Sequence, residues 1–173
     1  MSTSCLALVG AGPLPEQVMQ QFCRSFADRH RSALLIAGIH DDPDAVLTDG
    51  TSQEALLCLN GDAGRLLPRG SSWFEALADW RLPTLLLASV DPDGGMPGSA
   101  AAHVALCRQL GVPLIGLVQL QGPWDTTARR RDGLPWCGWI PDHDHPQHQD
   151  GLDALVDLII RRQLRGPAAR AAV

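Results

Sequence analysis

Short apolar runs, repeated at intervals along the chain, restrict the range of folds that it can adopt. We predict strands at six of these runs, which are residues 5–9, 33–38, 55–59, 84–89, 112–118 and 134–140. They are rich in Leu, Val, Ile and Ala and are brief, which is typical of strands buried on both faces. The sixth run contains Pro135, which cannot donate a ladder hydrogen bond, so we expect it at an edge of the sheet.

Helical patterns lie between these runs. Proline is favoured at the first helical position, so the first helix should begin near Pro15. Ser72 and Glu75 have the spacing of a capping box, and Ser99 is the expected N-cap of a helix over residues 100–110. A last helix is expected over residues 151–164.

Apolar strands that alternate with amphipathic helices predict an α/β fold, a three-layer sandwich around a mainly parallel, doubly wound sheet. We interpret residues 1–164 as one domain and residues 165–173 as a flexible C-terminal tail. In such sheets the ligand crevice lies beyond the carboxyl ends of the strands. The loops expected there are residues 10–15, 40–44, 60–64, 91–98 and 119–125.

The charged residues exclude several functions. All 14 basic residues are arginine, and the net charge is −5. Without lysine there is no Schiff base and no phosphate-binding P-loop lysine, and an acidic chain argues against a nucleic-acid partner.

The apolar runs are too short to span a membrane and the N-terminus lacks a basic leader, so we expect a cytoplasmic location. The five cysteines form no C-x-x-C pair and are interpreted as core thiols.

Two local sequences are candidate ligand sites. Gly10 and Gly12 follow the first strand and precede a helix, where they would either bind an anion at the helix N-terminus or only form a tight turn. His143, His145 and His148 lie within seven residues that also contain two aspartates, and imidazoles suit zinc or nickel. The alternative for this second segment is a solvated loop before the last helix.

Residues 59–164 resemble dethiobiotin synthetase and its relatives among the MinD/ParA-type P-loop ATPases. The resemblance rests on the order and spacing of LNGDAGRLLP (59–68), LPTLLLAS (82–89), LCRQLGVPLIGLV (106–118) and GLPWCGWIP (133–141). It implies a P-loop NTPase-like fold, a nucleotide with magnesium as the cofactor, and a homodimer whose ligand loops face one another. The cofactor-binding residues that it implies are Gly10, Gly12, Gln17, Asn60, Gly61, Asp62 and Arg65.

The first loop departs from the family pattern, which ends in Gly-Lys-Thr. Gln17 stands in place of the lysine, Val18 in place of the magnesium-binding hydroxyl, and Asn60 in place of an acidic residue. Phosphoryl transfer depends on such contacts. We therefore expect no catalytic residues and a non-catalytic pseudo-ATPase, a binding or assembly and regulatory protein with a protein partner.

Two alternatives remain open. The first is a divergent ATP-dependent ligase or transferase of the dethiobiotin synthetase type, in which Arg65 or residues 129–131 replace the lysine. The second is a metal-handling protein that uses the histidines of residues 142–148.

Overall fold

The computed structural model describes residues 5–91 and 94–164, and side chains within this range as far as Arg162. In this part of the chain strands alternate with helices. The strands are β1 (Leu6–Gly10), β2 (Leu34–Gly38), β3 (Leu56–Asn60), β4 (Thr84–Ser89), β5 (Leu114–Leu120) and β6 (Trp136–Ile140). The helices are α1 (Glu16–His30), α2 (Pro43–Ser52), α3 (Trp73–Asp79), α4 (Gly98–Leu110), α5 (Thr126–Arg131) and α6 (His148–Leu164).

All six strands form one sheet in the order β2-β3-β1-β4-β5-β6. Every neighbouring pair is parallel; at the centre, Leu8 of β1 is in register with Cys58 of β3 on one side and Leu85 of β4 on the other. The first crossover runs outward to β2 and the later ones run to the opposite side, which makes the sheet doubly wound. The α/β prediction is confirmed, and β6 lies at an edge as Pro135 indicated.

Successive side chains of a strand point to opposite faces of the sheet, and here both faces are covered. Leu6 and Leu8 of β1 belong to a core layer formed with α1 and α6, whereas Ala7 and Val9 belong to a second layer formed with α3 and α4. All four side chains are fully buried. This explains why the central runs are continuously apolar.

The capping box of α3 is confirmed: the Ser72 hydroxyl accepts from the Glu75 N–H, and the Glu75 side chain accepts from the Ser72 N–H. The prediction that Ser99 caps α4 is wrong. That helix begins at Gly98 after Pro97, whose extended backbone ends the preceding loop, and Ser99 lies inside the first turn. Its hydroxyl lies against the backbone of Gly12 instead.

Two helices were not predicted. Pro43 is the first residue of α2 and follows Asp42, whereas the sequence predicts a loop over residues 40–44. Asp125 opens α5, because its carboxylate accepts from the N–H groups of Thr127 and Ala128. The last helix begins at His148, three residues before the predicted start.

The predicted tail, residues 165–173, lies outside the described residues. Within the described ranges no helix is long and apolar enough to cross a membrane.

Candidate functional site

An open cleft of about 330 Å³ lies at the carboxyl ends of β1 and β3, beside the first turns of α1 and α4. Four of the seven predicted cofactor-binding residues line it, namely Gly10, Gly12, Gly61 and Asp62. Its other lining residues are Pro13, Leu14, Met19, Ser99 and His103. The crevice therefore occurs where the parallel topology places it.

The wall formed by Gly12 is tightly packed. Gly12 has φ = +130°, and a Cβ built there would lie 2.3 Å from the Ser99 Oγ, so no other residue fits without strain. The Ser99 Oγ is buried and has no hydrogen-bond partner. After Gly12 the loop turns back on itself, since the Leu14 N–H donates to the Gly12 carbonyl at 2.8 Å. The Ser89 hydroxyl donates to the Pro13 carbonyl at 3.1 Å and anchors the loop to β4.

The N-terminal turn of α1 carries a carboxylate. Glu16 is the first residue of this helix, and its Oε1 accepts from the Asn60 Nδ2 at 3.2 Å and from the Gln20 Nε2 at 2.8 Å. Asn60 therefore contacts the start of α1 rather than lining the cleft, and Gln17 is exposed beside it. The pairing has a simple chemical basis: an amide donates to a carboxylate, whereas an acidic residue at position 60 would repel Glu16.

Asp62 and His103 face each other across the cleft. The His103 Nδ1 donates to the Ser99 carbonyl at 2.7 Å, and its Nε2 lies 3.4 Å from the Asp62 Oδ1. The same Oδ1 accepts from the Gly64 N–H at 2.9 Å. The sequence alone does not pair these two residues, because Asp62 lies 41 residues from His103 and only the fold brings them together.

The arginines considered as substitutes for the missing lysine are placed differently. Arg65 is exposed and does not line the cleft. Arg129 is buried: it donates to the Asp132 carboxylate at 3.2 Å and to the Gly94 carbonyl at 3.1 Å, and its guanidinium lies 5.3 Å from the centre of the Trp136 ring. Arg129 thus holds the loop after β4 against the end of α5.

Of the three histidines of the predicted metal loop, His143 and His148 are in ring contact and His145 makes other contacts. His148 is buried and its Nδ1 donates to the Pro141 carbonyl at 2.8 Å. The His145 Nδ1 accepts from the Gln147 N–H, and its ring packs edge-to-face on Trp139. His143 is exposed and contacts the ring of His148. With the side chains placed as they are in the structure, no three His, Cys, Asp or Glu residues of the described ranges form a group that could hold a metal ion.

The interpretation of the cysteines as core thiols is confirmed for four of them, and Cys137 is partly exposed. Burial raises the pKa of the Cys107 thiol to about 12. The pKa of Cys23 is raised by its contact with the Cys58 thiol and by burial. Such thiols are inert at neutral pH.

Comparison with known proteins finds similar structures but no similar sequences. No protein-family model and no curated protein sequence matches the chain. The cell division ATPase MinD of Pyrococcus furiosus superposes with a TM-score of 0.62 at 12% identity, over 92% of this chain and 99% of that protein. A plasmid partition protein from Borrelia burgdorferi gives 0.58 at 6% identity, over 94% and 100%, and MinD of Aquifex aeolicus gives 0.54 at 8% identity, over 92% and 97%.

The fold is similar to that of the MinD/ParA-type P-loop NTPases. The fold expected from the resemblance is thereby confirmed. At these identities the likeness concerns the MinD/ParA-type fold alone, and chemistry has to be argued from the side chains of this chain.

Proposed function

We propose that this protein is a non-hydrolysing member of the MinD/ParA-type fold that acts as a binding or assembly protein. The observation that carries the proposal is the carboxylate of Glu16 in the first turn of α1, held there by Asn60. On the family pattern this turn is the phosphate-binding end of the loop, where positive charge and free N–H groups are needed.

Charge opposes a polyphosphate at this turn. Two like charges about 4 Å apart repel by roughly 1 kcal/mol in water and about 4 kcal/mol near a protein surface. The cleft itself, which Glu16 does not line, has the Asp62 carboxylate on its wall. A missing lysine removes a further contact worth about 1.5–3 kcal/mol. Among the residues that line the cleft, His103 is the one that can carry positive charge.

The backbone of the loop is also poor in donors. Pro13 and Pro15 have no N–H, and the Leu14 N–H is committed to the Gly12 carbonyl. A phosphate cradle is built from consecutive backbone N–H groups. Three adjacent positions thus offer none to a ligand, which supports a loop that does not bind nucleotide.

A role in binding or assembly accounts for an intact scaffold without this chemistry. The proteins of similar fold are described as a cell division ATPase and a plasmid partition protein. We propose a homodimer, as the resemblance of the sequence implies, and a protein partner for this chain. The ligase alternative finds no support in its arginines, since Arg65 is exposed outside the cleft lining and Arg129 is buried in other contacts.

The test is a comparison of anion binding by two charge-matched variants. Glu16→Gln removes the carboxylate in the first turn of α1, and Asp28→Asn removes one near the other end of the same helix. We expect the native protein to bind neither tripolyphosphate nor Mg-ATP in calorimetry, and Glu16→Gln to gain weak tripolyphosphate binding that Asp28→Asn lacks. Tight Mg-ATP binding by the native protein would contradict the proposal. Light scattering on the same samples tests the homodimer.

A further inference from the structure

Outside the cleft, one buried imidazole nitrogen lacks a hydrogen-bond partner. His148 is 8% exposed, and its Nε2 has no hydrogen-bond partner. Because its Nδ1 donates to the Pro141 carbonyl at 2.8 Å, the proton of the neutral ring is on Nδ1 and the Nε2 presents a lone pair. A buried acceptor of this kind is costly unless a water, a donor or an ion satisfies it.

His148 lines a small cavity of about 30 Å³ between α1, the ends of β5 and β6, and the start of α6. His143 and Asp142 line this cavity together with His148. The rings of His143 and His148 are 5.1 Å apart between centres and meet edge-to-face. We propose that His148 and His143 are two ligands of a zinc-type divalent metal ion, with Asp142 as the third.

The geometry fits such an ion in two respects. Two imidazoles on one tetrahedral zinc ion, with Zn–N distances of about 2.0 Å, have ring centres roughly 5 Å apart. A metal-binding histidine usually donates its other ring N–H to a carboxylate or a backbone carbonyl, which fixes the tautomer. His148 already makes this contact with the Pro141 carbonyl.

The proposed site is a specific set of three metal ligands, which differs from a general affinity of the histidine-rich segment for metal ions. His145 takes no part, because its Nδ1 accepts from the Gln147 N–H and its ring packs on Trp139. Asp142 is exposed and has to turn inward, so the set of three ligands is completed only when the ion binds. The site is independent of the proposed function, because its residues do not line the cleft.

Zinc titration of the full chain, freed of metal by a chelator and carrying no histidine tag, tests the site. We expect one equivalent of Zn²⁺ to bind and to raise the melting temperature, and Co²⁺ in its place to give the visible absorption of a tetrahedral site. His143→Gln and His148→Gln should each weaken zinc binding by about tenfold or more. His145→Gln is the matched control and should change the affinity less than twofold.

His143 is exposed, so its variant should fold even if His148→Gln does not, and the test does not depend on the buried residue. Absence of saturable Zn²⁺ binding would overturn the proposal. So would an equal loss of affinity in His145→Gln, because that result would indicate chelation by an unstructured histidine segment.

Discussion

Replacement of Gly12 by alanine should destabilise the protein through a contact that can be relieved at a second position. At φ = +130° a Cβ is strained whatever space surrounds it, and here it would also lie 2.3 Å from the Ser99 Oγ and 3.3 Å from the Ser99 Cβ. A non-glycine residue in such a backbone region costs about 1–3 kcal/mol. Forcing Ser99 off its rotamer adds about 0.5–1.5 kcal/mol. We therefore expect Gly12→Ala to lower the free energy of unfolding by about 1.5–4.5 kcal/mol.

The measurement is urea unfolding followed by far-ultraviolet circular dichroism, performed as a double-mutant cycle. Ser99→Ala alone should be neutral or slightly stabilising, because the buried hydroxyl that it removes has no partner. In the double variant it should recover the steric part, about 0.5–1.5 kcal/mol, and leave the backbone strain. Gly98→Ala is the control glycine, since a Cβ there meets nothing within 4 Å and should not destabilise.

Two results would refute this reasoning. One is a Gly12→Ala variant whose free energy of unfolding lies within about 0.5 kcal/mol of the native value, which is the range of ordinary surface substitutions. The other is a double variant no more stable than Gly12→Ala, because the packing of Ser99 on the glycine would then contribute nothing.

Three further predictions concern other elements. Ser72→Ala should lower the free energy of unfolding by about 1 kcal/mol in urea, because it removes the cap of α3. The pKa of Asp125 is lowered, chiefly by the hydrogen bond from the Ala128 N–H. The contribution of this carboxylate to stability should therefore be present above pH ~4 and lost as the pH falls through the depressed pKa. The melting curves of Asp125→Ala and the native protein should accordingly converge in acid and differ at pH 7. Cys23 and Cys107 should resist a thiol reagent in the folded state and react on unfolding, because their pKa values are raised; mass spectrometry of the labelled peptides measures this.

The sheet could be predicted from the sequence because its strands are buried on both faces. Residues such as Leu8 and Leu86 have to be apolar wherever they lie, so each strand appears as a run that needs no partner to be recognised. The predicted ends of every strand lie within two residues of the observed ends. The edge position of β6 also followed from one residue, Pro135, through the hydrogen bond that it cannot make.

The contacts of the site could not be predicted in the same way, because they join residues far apart in the sequence. Asn60 bonds to Glu16, and His103 faces Asp62, only after the parallel crossovers place the ends of the strands together. Ser99 has a residue type suited to an N-cap, and only the packed structure shows its hydroxyl against Gly12. Local sequence patterns therefore predict helices and strands, whereas the positions of side chains in the cleft depend on the whole fold.

The most direct test of the central claim is calorimetry with Mg-ATP together with an assay of steady-state ATP hydrolysis on the native protein. The account predicts no heat of binding and no magnesium-dependent turnover, because the first turn of α1 carries the Glu16 carboxylate and the chain contains no lysine. Gln17→Ala serves as the comparison, since this exposed residue stands where the family has its lysine. Magnesium-dependent turnover that is present in the native protein and abolished in Gln17→Ala would contradict the account.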